Sequence, residues 1–293
     1  MYRTLITAEQ LNTLLQSGRP CMLFDCSFDL MQPASGPQQF AAQHIAAAVY
    51  ANLDTALSHA SGAATQDEPQ APPASGGRHP LPSRERFAAW LRSVGFDNAM
   101  QAVVYDRNGA NYCGRMWWML KWAGHEDVAL LDGGLQAWSA TGGATQSGAA
   151  AARSPGNFQL GPQRARLIGS ASVLAQLGSP AQTLVDARAP ARFRGEVEPL
   201  DPVAGHIPGA LNRPFGQNLG PDGRFKSPQV LRGEFEALLQ GRDPASVVHH
   251  CGSGVSAVPN ILAMELAGLG RSALYAGSWS EWCADPSRPV ALG

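Results

Sequence analysis

The residues in this chain best arranged for chemistry are His250-Cys251-Gly252-Ser253-Gly254-Val255-Ser256-Ala257. A cysteine attacks as its thiolate, so a reactive one needs surroundings that stabilise negative charge. The run Ser246-Val247-Val248-His249-His250 predicts a strand that delivers Cys251 to its carboxyl end, where open α/β sheets place ligands. Gly252 and Gly254 let the backbone curl until successive N–H groups point at one atom. Ser256 can cap a helix that begins near Ala257 and continues through Leu266 to Gly268, with Pro259 tolerated in its first turn. The positive end of that helix then faces the sulfur. Such a site suits a thiolate, and equally a persulfide anion bonded to it. The plainer alternative is a buried structural cysteine before an ordinary glycine-rich turn.

The elements that must position this loop are written twice along the chain. Cys21-Met22-Leu23-Phe24-Asp25 predicts a strand, followed by Phe40 and the turn at His44-Ile45-Ala46-Ala47-Ala48. A second strand, Ala102 to Asp106, leads into a helix over Gly114 to Trp122. A third, Val128 to Leu131, ends in Asp132-Gly133-Gly134, with Trp138 beyond. The second half repeats the plan: Thr183 to Asp186, Phe193, the turn His206-Ile207-Pro208-Gly209-Ala210, Ser246 to His250, then Ala273-Leu274-Tyr275 before Ala276-Gly277-Ser278 and Trp282. Short apolar runs alternating with helical patterns imply an α/β fold of two domains, each a mainly parallel sheet flanked by helices. The expected boundaries are 1–143 for the first domain, 144–164 for a Gly-, Ala- and Ser-rich linker, and 165–293 for the second. A long irregular loop is expected from His59 to Pro82 and could close over the site. At the position matching Cys251 the first half has Asp106-Arg107-Asn108-Gly109, so only the second half is equipped for thiol chemistry.

A length of 293 residues fits two domains, and a formal net charge of −1 argues against a general nucleic-acid binder. No apolar run approaches the roughly 20 residues needed to span a bilayer, and the N-terminus lacks the apolar stretch of a secretory signal. A cytoplasmic protein is expected. Five scattered cysteines, Cys21, Cys26, Cys113, Cys251 and Cys283, show neither a disulfide framework nor a zinc-binding spacing. Four of them read as small apolar core residues.

Together, His206 to Ala210, Leu131-Asp132-Gly133-Gly134, Asp186-Ala187-Arg188 with Arg192-Phe193, and the Cys251 loop resemble the tandem form of the rhodanese (sulfurtransferase) family, over nearly the whole chain. The resemblance implies two rhodanese-like domains, an inactive first and a catalytic second, packed with the site between them. The loop Cys-Gly-Ser-Gly-Val-Ser is similar to that of 3-mercaptopyruvate sulfurtransferases, where Thr is usual at the last position. Thiosulfate-using members usually carry basic side chains just after the cysteine. The resemblance implies Arg192 as the arginine that holds the substrate carboxylate, a task its planar fork suits; the alternative is an ion pair with Glu196 or Glu198. A second substrate-binding arginine of some relatives should fall at Leu200, so another cation, Arg194 or Arg107, is expected to replace it. A Ser-His-Asp relay proposed for relatives maps to Ser253, His79 and Asp54, which could position protons at the leaving enolate or substrate thiol; Asp54 could equally cap a following helix. Gly252, Gly254, Val255 and Ser256 supply the loop that binds the sulfur.

Asp186 and Arg188 are expected as a structural pair beneath the site, and His206 as a support of its turn. Strand alternation sends His249 and His250 to opposite faces, so neither is the first choice of general base. The implied reaction moves a sulfane sulfur from a small-molecule donor, 3-mercaptopyruvate, through a Cys251 persulfide. The acceptor is a thiol such as thioredoxin or a low-molecular-weight thiol, or cyanide. No metal, cofactor, nucleic acid or membrane is called for. The alternatives are thiosulfate as donor, a non-catalytic binding module, and a cysteine-dependent phosphatase. The last needs an arginine where Ala257 stands.

Overall fold

The structure is a computed structural model that describes residues 1–59 and 71–293. It divides into two compact units: Met1–Ala74, Pro82–Arg164 and Asp222–Arg224 form the first, and Ser75–Leu81, Ala165–Pro221 and Phe225–Gly293 the second. Among the described residues, no helix is long and apolar enough to cross a membrane.

In the first unit the chain runs β1 (Leu5–Ile6), α1 (Ala8–Gln16), β2 (Cys21–Asp25), α2 (Ser35–Ala42), β3 (His44–Ile45), β4 (Val49–Tyr50), α3 (Arg84–Ser93), β5 (Gln101–Tyr105), α4 (Cys113–Trp122), β6 (Val128–Leu131), α5 (Gly134–Ala140) and β7 (Thr145–Gln146). The second follows with β8 (Arg166–Leu167), α6 (Ser170–Ala175), β9 (Thr183–Asp186), α7 (Pro190–Phe193), β10 (Leu211–Asn212), α8 (Pro228–Leu239), β11 (Val247–His250), α9 (Val258–Leu266), β12 (Ala273–Leu274) and α10 (Ser278–Trp282). The first sheet is ordered β1-β6-β5-β2-β4 and the second β8-β12-β11-β9-β10, and every neighbouring pair in both is parallel. The two orders are the same, so the repeat in the sequence is a repeat of topology. The central strands are buried along their length, which is why they read as continuous apolar runs rather than alternating ones.

The repeated Phe…His pattern also has a physical meaning. His44 stacks on Phe40 at 3.9 Å, and His206 stacks on Phe193 at 3.8 Å. In each case the histidine Nδ1 lies 2.8 Å from the phenylalanine carbonyl oxygen. His206 therefore ties the end of α7 to its turn, a structural task.

Two stretches differ from a featureless reading. Residues 144–164, expected as a linker, lie along the first unit: β7 pairs antiparallel with β3, and Phe158 is fully buried against Phe96 and His125. The loop expected from His59 to Pro82 lies partly outside the described residues, and its final part, Ser75–Leu81, belongs to the second unit.

β5 ends at Tyr105, one residue earlier than its apolar run suggests, because Asp106 turns its carboxylate back into the following loop. Oδ1 accepts from the N–H groups of Asn108 (2.9 Å) and Ala110 (3.1 Å), and Oδ2 from those of Tyr112 and Cys113 (both 2.9 Å). Four amides around one buried carboxylate are a strong restraint. Asp106→Ala is expected to destabilise the first unit by about 3 kcal/mol or more, and Asp106→Asn, which keeps one acceptor oxygen, by less. Chemical denaturation of the two variants checks this order.

Candidate active site

β11 lies at the centre of the second sheet, between β9 and β12, and places Cys251 at its carboxyl end. Gly254 adopts φ +74°, and a Cβ there would sit 2.2 Å from the Ala276 carbonyl oxygen, so the loop can close only with glycine. Among the described residues, the N–H groups of Gly252, Val255 and Ser256 have no acceptor within the chain. α9 begins at Val258, with Pro259 in its first turn; Ala257 occupies the cap position and no side chain caps the helix. The expected cap by Ser256 is therefore corrected. The helix starts one residue later, at Val258, without a side-chain cap.

The loop is held from the far side by α10. The Cys251 N–H donates to Ser278 Oγ at 3.1 Å, and the Cys251 carbonyl accepts from Trp279 N–H at 3.0 Å. Ser278 holds φ +56°, unusual for a residue with a side chain, while its hydroxyl donates to the Tyr275 carbonyl oxygen. Ser278 was not singled out from the sequence, where it reads only as part of a small-residue turn.

The first unit serves as an internal control. Asp106 occupies the position of Cys251, and its carboxylate is surrounded by loop amides. The loop at the end of this strand is thus built to receive an anion. In the second unit Cys251 stands at that position, at the end of β11. The other four cysteines are unsuited to the task. Burial pushes the thiols of Cys26 and Cys113 far up, that of Cys283 up, and that of Cys21 up to about 12.

Two further expected residues meet the nucleophile's loop. His79, in the Ser75–Leu81 segment, places Nδ1 2.8 Å from Ser253 Oγ. Arg192, on α7, places Nη1 3.4 Å from where a Gly252 Cβ would stand. Its Nε and Nη2 bind Glu198, and Nη2 also reaches Asp201 at 3.2 Å. The Glu198 ion pair and a loop-facing nitrogen therefore coexist. Glu198 also accepts from Arg188, whose fork grips Asp186 at 2.7 and 3.0 Å as the expected structural pair. Asp54 belongs to the first unit. It caps no helix, since a turn follows it, and Asn52 Oδ1 accepts from the Asp54 N–H. Burial raises its carboxyl above the usual range.

Both substitutes expected for the arginine missing at Leu200 have carboxylate partners of their own. Arg194 is an exposed partner of Glu196. Arg107 is bound within the first unit by Asp25, Ser27 and the carbonyls of Gln39 and Gln43. Beside the loop with Arg192 stands Arg78, whose Nη2 lies 3.3 Å from a Gly252 Cβ position and whose Nη1 binds Asp201 at 2.6 Å.

His249 and His250 point to opposite faces, as the strand requires. His249 packs against Phe235 with Nε2 3.1 Å from Met264 Sδ. His250 lies against Tyr275, with Nδ1 3.9 Å from Asp186. Burial pushes His249 down to about 3, and pushes His250 down against the opposing pull of Asp186.

With this geometry in view, the chain belongs to the rhodanese family: the rhodanese-like domain pattern matches residues 7–141 and again 170–285. Among its relatives, a probable 3-mercaptopyruvate sulfurtransferase of Pseudomonas aeruginosa is 47% identical over 292 residues, covering 99% of this chain and 98% of that protein. A putative thiosulfate sulfurtransferase of Mycobacterium tuberculosis is 38% identical over 309 residues, with the same coverage. Among solved structures, 3-mercaptopyruvate sulfurtransferase from Leishmania major superposes with a TM-score of 0.78 at 30% identity, covering 96% of this chain and 74% of that one. These relatives are named as sulfurtransferases, which are enzymes, rather than as phosphatases.

The buried histidines give the second unit a pH signature. Their folded-state values lie below the unfolded value of about 6.5, so their contribution is fully present above that pH and is lost as pH falls toward about 3 for His249. Stability is expected to fall by at most about 1.4 kcal/mol per pH unit per histidine between pH ~6.5 and ~5, above the carboxylate range. Denaturation curves across that window check it, and His249→Leu should flatten the slope.

Proposed function

We propose that the protein is a sulfurtransferase that takes a sulfane sulfur from 3-mercaptopyruvate and passes it to a thiol or cyanide through a persulfide on Cys251. The observation that carries this reading is the loop around Cys251, with the unpaired backbone N–H groups of Gly252, Val255 and Ser256, beside Arg192, whose Nη1 makes no hydrogen bond among the described residues. The 47% identical relative bears the same activity in its name.

In the first step, Arg192 holds the donor carboxylate while the Cys251 thiolate attacks the donor sulfur. The S–S bond forms as the C–S bond breaks, and the electron pair moves onto the carbon, giving the enolate of pyruvate. The proton that began on the donor thiol ends on that carbon. His79 and Ser253, in hydrogen-bond contact, are placed to pass it. The loop amides and the N-terminus of α9 hold the negative charge on the outer sulfur of the persulfide. In the second step an acceptor thiolate, from thioredoxin or a low-molecular-weight thiol, attacks that outer sulfur and the Cys251 thiolate leaves. Cyanide reacts in the same way to give thiocyanate. Both steps are sulfur displacements between anions, within the reach of loop amides and a helix terminus.

Thiosulfate is the competing donor, and the Mycobacterium relative's name records it. The loop residues Gly252, Ser253 and Gly254 bring no positive side chain to a doubly charged donor. The two donors are separated by their kcat/KM values, with 3-mercaptopyruvate expected to be the better; a clear preference for thiosulfate overturns the assignment. Arg192→Ala is expected to raise KM for 3-mercaptopyruvate by about 10–100-fold, the loss of a charge-assisted contact. An unchanged KM would place the carboxylate elsewhere.

A further inference from the structure

Arg78 is fixed by its backbone before its side chain does anything. Its N–H donates to Ser280 Oγ at 3.0 Å. The preceding Gly77 adopts φ +87°, where a Cβ would lie 2.5 Å from the Gly277 carbonyl oxygen, so only glycine lets the segment lie so close to α10. From this anchor Arg78 Nη1 reaches Asp201 Oδ1 at 2.6 Å, while Asp201 Oδ2 takes Arg192 Nη2 at 3.2 Å. One carboxylate, 4% exposed, thus holds two guanidiniums side by side.

What Asp201 leaves over is informative. Arg78 Nε is buried without a partner among the described residues. Among the described residues, Arg78 Nη2 and Arg192 Nη1 likewise make no hydrogen bond. These two nitrogens converge on the same spot, 3.3 and 3.4 Å from a Gly252 Cβ position, next to the nucleophile. Buried or half-buried guanidinium donors without acceptors are costly unless an anion completes them.

We propose that Arg78 and Arg192 together bind the donor carboxylate, which bridges Arg78 Nη2 and Arg192 Nη1 above Gly252, with Asp201 aligning the pair. Arg78 is then the second substrate-binding cation, supplied from a distant loop in place of the arginine absent at Leu200. Gly252 is small because any side chain there fills the space that the carboxylate takes. The inference deepens the proposed function and rests on a 2-oxo carboxylate donor.

The test compares wild type, Arg78→Met and Arg78→Lys with 3-mercaptopyruvate and, separately, with inorganic polysulfide, which loads a thiolate without any carboxylate. The expected result for Arg78→Met is a KM for 3-mercaptopyruvate raised about 10–100-fold with kcat changed only a few-fold. Polysulfide should load Cys251 as in wild type. Arg78→Lys, which keeps the charge and loses the fork, should fall between the two, and it carries the test if Arg78→Met does not fold. A KM within about twofold of wild type in both variants overturns the proposal. A wild-type protein that polysulfide loads and 3-mercaptopyruvate does not overturns the donor assignment itself, and the bridging carboxylate with it.

Discussion

A parallel strand that ends in a curl of backbone N–H groups, ahead of a helix, needs a negative charge at its tip. That requirement is met twice in this chain, and the two solutions explain why its halves differ. In the first unit Asp106 brings its own carboxylate to the loop, takes four amides and closes the site to anything else. In the second the residue at that place is Cys251, and among the described residues the N–H groups of Gly252, Val255 and Ser256 have no acceptor. In the proposed transfer a thiolate is exchanged for a persulfide without changing the charge that the loop sees.

Around this centre the second unit arranges its charges as an alternating chain. Asp186, Arg188, Glu198, Arg192, Asp201 and Arg78 follow one another through ion pairs of 3.3 Å or less. Each carboxylate fixes the orientation of the arginines beside it, so the chain ends in guanidinium nitrogens held in place before any ligand arrives. Preorganised donors of this kind lose little entropy on binding. The histidines of β11 are buried at the edge of this chain of charges: His249 faces α9, and His250 lies against Tyr275 with Nδ1 3.9 Å from Asp186.

Much of this was legible in the amino-acid sequence. The parallel strands announce themselves as short apolar runs because both of their faces are covered, and the repeated Phe…His and Gly-rich turns mark equivalent points of the two units. The Cys251 loop could be read because its glycines, its strand and its helix are adjacent in the chain. What could not be read depends on contacts across long separations. Arg78 meets Asp201 from 123 positions away, within a loop that has no periodicity to place it. The sequence offered Arg194 and Arg107 as candidates; in the structure they pair with Glu196 and Asp25. Ser278 hides in a small-residue turn although its hydroxyl holds the Cys251 amide, and Phe158 hides the packing of residues 144–164 in a Gly- and Ala-rich stretch.

The most direct measurement is to follow the transferred atom. The protein is incubated with 3-mercaptopyruvate carrying isotopically labelled sulfur, digested without reductant, and its cysteine peptides are mapped by mass spectrometry. Transfer through a Cys251 persulfide predicts one labelled sulfur on the peptide containing Cys251, none on those containing Cys21, Cys26, Cys113 or Cys283, and loss of the label when a thiol acceptor is added. Label on another cysteine, or a protein that gains no sulfur, would contradict the role assigned to Cys251.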